Sequence, residues 1–261
     1  MRYFLELSYN GSAYFGWQRQ PRQQSVQQTL EEALSTLLRE QISVTGAGRT
    51  DTGVHASYYV AHFDATQPLT DLDQVVYKLN RILPHDISIF AVQPVADDAH
   101  ARFNAREREY HYYIDPHKNP FTRHITWAYN YSTPLDIERM NRAAAVLLEF
   151  EDFTSFAKLN SNNKTNICHI FRAEWTRDAQ GVLCFTIRAD RFLRNMVRAV
   201  VGTLVDVGRG RHSVEDFRDI IASRDLSRSS GGAPASGLFL ADVTYPDEVF
   251  TTSVPLKSRF R

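Results

Sequence analysis

The chain has 261 residues, 43% hydrophobic and 23% charged, which suits one large or two moderate folded domains and excludes global disorder. Thirty Lys and Arg balance thirty Asp and Glu. The chain is therefore not a general polycation that coats nucleic acid, although a local basic surface is compatible with zero net charge.

Residues 2–9 (RYFLELSY) are predicted to form a strand, and Asn10-Gly11 a turn. An N-terminal signal peptide is not expected, because charge interrupts this segment too soon. Residues 11–24 have no clean period. Ser25 and Gln28 form a capping box for a helix whose apolar face is Val26, Leu30, Ala33, Leu34, Leu37 and Leu38. Strands at 41–47 and 57–63 flank the loop GRTDTGVHA, residues 48–56. A helix at 72–83 and a strand at 87–95 follow.

The later part repeats this rhythm. A strand spans 108–114, a helix 136–148, and a hairpin pairs 167–175 with 182–189 through Asp178-Ala179-Gln180-Gly181. Helices are expected at 192–207, with Gly208 as its cap, and at 214–223; a strand over 237–245 closes the pattern. The run Ala143–Leu148 is far too short to span a bilayer, and Cys168 and Cys184 suggest neither a disulfide framework nor a zinc site. The fold class is α+β, and the expected location is cytoplasmic. The expected divide lies near residue 105: residues 1–105 form an N-terminal half carrying the Asp loop, and residues 106–261 a C-terminal half carrying a tyrosine strand and a basic helix.

Among possible chemical sites, GRTDTGVHA is the most informative. It joins two strands, where a rigid scaffold can present a loop. Asp51 has two readings. It is either a shielded carboxylate nucleophile kept ionised by Arg49 or another cation, or the side chain of an ordinary Asx turn. No GxSxG, P-loop, HExxH or strand-following GxGxxG occurs. His55 and His62 flank a strand without a third ligand nearby, so no metal site is expected.

Residues 102–113 (RFNAREREYHYY) interleave Arg102, Arg106 and Arg108 with Phe103, Tyr110, Tyr112 and Tyr113. Aromatic faces can stack bases while arginines hold phosphates; a half-buried strand with tyrosines at its rim is the competing reading. Residues 188–211 carry six arginines against two aspartates. Arg191, Arg194 and Arg198 recur at helical spacing, which predicts one basic helix face suited to an anionic partner.

Together the segments YNGSAYFGWQRQP, SVQQTLEEAL, GRTDTGVHA, HARFNAREREYHYYI, EDFTSFAK, FLRNMVRAVVGTL and APASGLFLADVTYP resemble the TruA family of tRNA pseudouridine synthases, in order and over most of the chain. The resemblance implies a pseudouridine synthase fold: two similar α/β halves forming a continuous mixed, mainly antiparallel sheet flanked by helices. It implies an enzyme that isomerises uridine in the anticodon stem-loop of tRNA, as a homodimer, without a cofactor and without a membrane. By the same resemblance Asp51 is the nucleophile, Tyr110 stacks on the target uracil, and Arg198 pairs with the Asp51 carboxylate. Arg49 helps to extrude or hold the nucleotide, while Arg102, Arg191 and Arg194 are further expected substrate contacts. Thr52 departs from the family, which often has Ala or Ser there; the loop geometry is expected to survive.

Overall fold

The computed structural model describes residues 1–158 and 164–251. The backbone divides into two compact units: Met1–Arg106 joined by the segment from Leu240, and Glu107–Phe239. The pairing of strands is mixed and mainly antiparallel, and the chain is α+β.

In the first unit, strand β1 (Arg2–Tyr9) is buried on both faces, as its dense aromatic and aliphatic content requires. It pairs antiparallel with β3 (His55–Asp64) and with β4 (Ile87–Pro94), while the short β2 (Val44–Gly46) pairs with β3. Helices α1 (Val26–Leu38) and α2 (Leu72–Ile82) pack on these strands. Successive strand residues face opposite ways. Phe4 thus joins Tyr58, Val60, Val95, Ala101 and Val249 in one core cluster, while Tyr3 stacks on Phe63 on the other face. Phe250 and Tyr245 pack on the Phe4 cluster, and this tethers the segment from Leu240 to the first unit.

The expected capping box of α1 forms only in part. Ser25 Oγ accepts from the Gln28 amide at 3.3 Å, but the Gln28 side chain reaches Glu32 instead. The complete box is at α5 (Val214–Ser223), between Ser213 and Asp216.

In the second unit, β5 (Glu107–Asp115) pairs antiparallel with β8 (Leu183–Ala189), which pairs with β7 (Ile170–Arg177). The two-residue β6 (Trp127–Ala128) runs parallel to β5. The β7–β8 turn is as expected. Asp178 Oδ1 accepts the amides of Gln180 and Val182, and Gly181 takes φ +89°. Helix α3 (Ile137–Val146) covers β7 and contacts α5 and α4 (Met196–Gly208).

Helix α4 corrects two expectations. It starts at Met196 rather than 192, because Asn195 adopts the left-handed conformation (φ 65°), which Asn tolerates better than most residues. Gly208 is its last helical residue rather than a left-handed cap. A Cβ there would stand 2.5 Å from the Met140 sulfur of α3, and the left-handed turn falls at Gly210. β9 (Leu238–Thr244) closes the pattern.

Candidate active site

Asp51 lies in the first unit, half-buried, between β2 and β3. The loop around it is immobilised from three directions. Beneath it, Tyr9, Trp17 and Tyr59 form a ring cluster, with Trp17 stacked on Tyr59 at 4.1 Å. The Tyr59 hydroxyl donates to the Gly48 carbonyl at 2.5 Å, and the Tyr9 hydroxyl meets buried Thr50 Oγ1 at 2.8 Å. Along its flank, Trp17 N donates to Thr50 O and Gly53 N to Tyr14 O. Its own turn is closed by the backbone bond from Val54 N to Asp51 O at 3.1 Å, and Gly53 supplies φ +76°.

This fit requires glycine on the opposing segment. Gly16 has φ +88°, and a Cβ on it would come within 2.5 Å of Thr50 O and 3.1 Å of the Asp51 carbonyl carbon. Within residues 11–24, which show no clean period, Tyr14, Gly16 and Trp17 therefore form the wall that holds the Asp51 loop. The segment is tied in turn to α1: Gln27 accepts from Gln18 and from the Arg19 amide, while buried Glu31 takes the Arg19 guanidinium and the Val44 amide.

The two histidines stand within β3 rather than on either side of it, and each accepts from a backbone amide. His55 Nδ1 accepts from Gly11 N at 3.0 Å and His62 Nδ1 from Ala101 N at 3.1 Å. Burial, reinforced by the charges of Arg2 and His100, holds the His62 pKa down at about 4, so His62 is neutral at pH 7. No group of three potential metal ligands occurs among the described residues.

Arg49 is exposed at the near edge of the loop. Arg102 is exposed at the turn after β4, with its guanidinium 5.9 Å from the Phe103 ring centroid.

In the second unit, Tyr110 and Tyr112 share one face of β5, as the strand period demands. Tyr110 is half-buried, and Phe192 meets its ring edge-on at 5.1 Å. Tyr112 is fully buried and donates to Pro234 O at 2.8 Å. Arg198 stands in the first turn of α4. Its Nε donates to Ala233 O at 2.6 Å, and its carbonyl accepts from Ala233 N at 2.9 Å. Burial pushes the Tyr112 pKa up, and the Arg198 charge opposes that shift. Tyr112 and Arg198 thus bond to adjacent carbonyls of one segment, those of Pro234 and Ala233. The strap 231–233 can lie on α4 only because residue 202 is glycine; a Cβ there would overlap the Gly231 carbonyl oxygen.

The expected basic face does not form as a single helical stripe. Arg191 and Arg194 precede Met196, on the loop before the left-handed turn, and only Arg198 is on α4 itself. Elsewhere in residues 188–211 acids offset the arginines: Arg188 pairs with Glu107, and Arg209 and Arg211 both reach Asp206. Sequence reasoning also missed Gly16, Trp17, Phe192 and Ala233. A glycine and aromatics in an aperiodic stretch were the available signal for the first two; Phe192 was absorbed into the overlong helix.

Similarity to known proteins gives the class, an RNA-modifying enzyme. The sequence profile described as tRNA pseudouridine synthase matches residues 7–104 and 143–246, and the chain belongs to that family, whose members are isomerases. Similar relatives are each named tRNA pseudouridine synthase A. The relative from Bacteroides thetaiotaomicron is 54% identical over 252 residues, covering 96% of this chain and 93% of the relative. That from Bacteroides fragilis is 53% identical over 249 residues, covering 95% and 98%. That from Gloeobacter violaceus is 41% identical over 254 residues, covering 97% and 83%. No described helix is long and apolar enough to cross a membrane.

Proposed function

We propose that this protein converts uridine to pseudouridine in the anticodon stem-loop of tRNA, with Asp51 as the nucleophile and no cofactor, as a cytoplasmic homodimer. The observation that carries the reading is the Asp51 loop. It is braced by Thr50, Gly48 and Val54 and backed by Gly16, so a carboxylate is presented on an unyielding support, as transition-state stabilisation requires.

The reaction breaks the C1′–N1 bond and forms C5–C1′. The proton lost from C5 is balanced by one gained at N1, so no electron or group donor is needed. Positive charge develops at C1′, and the Asp51 carboxylate offsets it as carboxylates do in glycoside cleavage. Taking the target base out of its stack costs a few kcal/mol; stacking on Tyr110 offsets part of this. Arg198 supplies the cation that favours the ionised carboxylate, and Arg49, Arg191 and Arg194 hold the RNA.

The test is incubation of an unmodified tRNA transcript with the protein in the presence of a chelator, followed by mapping of pseudouridine. The expected product lies in the anticodon stem-loop, and Asp51→Asn abolishes it while retaining tRNA binding. Wild-type yield from Asp51→Asn refutes the nucleophile assignment; pseudouridine only elsewhere in the tRNA refutes the substrate site.

A further inference from the structure

The turn that follows β4 carries an aromatic ring that the fold does not use. Phe103 is 76% exposed, yet the turn beneath it is fully bonded. Every backbone N–H from His100 to Asn104 has a partner. His100 N donates to Asn104 Oδ1 and Ala101 N to His62 Nδ1. Arg102 N and Phe103 N both donate to His100 Nδ1, and Asn104 N donates to His100 O. The Ala101 carbonyl accepts from the Tyr245 hydroxyl at 2.5 Å.

Three rings climb from core to surface on this scaffold. Buried His62 meets His100 edge-on at 4.7 Å, and His100 meets Phe103 at 4.2 Å, tilted 34°. One side of the Phe103 ring is thus supported while most of its surface is open. The exposed Arg102 guanidinium lies 5.9 Å from the same ring, at the edge of the cation–π range. A held aromatic face beside an arginine is the combination that grips unpaired nucleotides: the ring stacks the base and the guanidinium meets the phosphate. Because the turn is already ordered, little conformational freedom is lost on binding.

The position separates this platform from the catalytic loop. His62 lies near the far end of β3 from His55, seven residues away, roughly 23 Å along an extended strand. From these observations we infer that Phe103 is a stacking platform for an unpaired base of the RNA substrate, apart from the Asp51 loop, with Arg102 on the adjoining phosphate. The inference rests on the tRNA reading proposed above. It makes the turn a second grip on the substrate, which positions the RNA but takes no part in bond making.

The experiment measures the Kd of an unmodified tRNA transcript and the yield of pseudouridine for the wild-type chain, Phe103→Ala, Phe103→Leu, Phe103→Trp and Arg102→Ala, with light scattering on each. Phe103→Ala and Phe103→Leu are expected to weaken binding by roughly 5- to 150-fold, the range for loss of one stacked base, while Phe103→Trp restores it. Arg102→Ala is expected to reduce the slope of log K against log salt by about one. If Phe103→Leu binds as wild type, the ring face is irrelevant and the inference fails. If Phe103→Ala changes the oligomeric state rather than tRNA affinity, the ring belongs to an interface with a second copy and the inference also fails. A wild-type chain that makes no pseudouridine overturns the proposed function itself, whereas active variants with unchanged tRNA affinity overturn only the platform.

Discussion

Replacing Gly16 with alanine perturbs the proposed nucleophile while leaving its own side chain unchanged. The new Cβ would stand 2.5 Å from Thr50 O, 3.1 Å from the Asp51 carbonyl carbon and 3.3 Å from Thr52 N. Ordinary contact begins at 3.4 Å, so the loop must retreat by about 0.9 Å. Holding alanine at φ +88° costs about 1 kcal/mol. Losing the 3.2 Å bond from Trp17 N to Thr50 O costs about another 1 kcal/mol, and residual crowding brings the total to about 2–3 kcal/mol. For a chain of this size that is a fall in Tm of roughly 4–12 °C. The catalytic penalty is larger, because an ångström of misplacement costs about 100-fold in rate. Single-turnover pseudouridine formation on saturating tRNA reads the rate, and thermal denaturation followed by circular dichroism reads the stability. Gly16→Ala is expected to bind tRNA as the wild type does, melt lower and react about 100-fold more slowly. A variant that melts lower yet turns over at the wild-type rate would show that the wall at residue 16 does not set the position of the carboxylate.

Two further perturbations test other parts of the structure. Gly202→Ala pushes the 231–233 strap off α4 and breaks the 2.6 Å bond from Arg198 Nε to Ala233 O. The loss of a hydrogen bond from a charged donor is worth about 1.5–3 kcal/mol, so kcat should fall by roughly 10- to 150-fold with a smaller change in tRNA Kd; equal losses in both would point to general damage. His62 sets a pH dependence of stability. Its folded pKa is depressed from 6.5 to about 4, chiefly by burial, with Arg2 and His100 adding to the shift and Asp64 opposing it. The unfolded chain therefore takes up this proton first on acidification. The contribution is complete above pH 6.5 and is lost as the pH falls from 6.5 towards about 4. His62→Gln keeps an acceptor for Ala101 N but cannot titrate, so its urea midpoint should drop less between about pH 7.5 and 4.5 than that of the wild type. Parallel curves would contradict the assignment.

Much of this architecture was legible in the residues themselves, because the signals were local. Strand β1, helices α1, α2 and α5, and the Asp178–Gly181 turn follow from periodicity, caps and turn chemistry. The errors fall where a non-local contact or a single dihedral decides. Apolar periodicity runs unbroken from Phe192 into α4, so nothing in the pattern announces that Asn195 turns left-handed and removes Arg191 and Arg194 from the helix. β6 is two residues long and exists only because β5 lies alongside it. At the candidate site, the Asp51 loop stood out by composition. Its bracing did not: Gly16 meets Thr50 across 34 positions of sequence, a proximity that no spacing rule encodes. Likewise the acids that neutralise Arg188, Arg209 and Arg211 could be counted but not paired before the fold was known.

The indole of Trp17 lies under the Asp51 loop, stacked on the phenol that holds Gly48. Placed there, it is a built-in optical gauge of the loop. The other tryptophans, Trp127 and Trp175, belong to the second unit, so replacing them with phenylalanine would leave a single emitter whose surroundings change whenever the loop shifts. Docking of substrate could then be followed in real time by emission, without labelling either the protein or the nucleic acid.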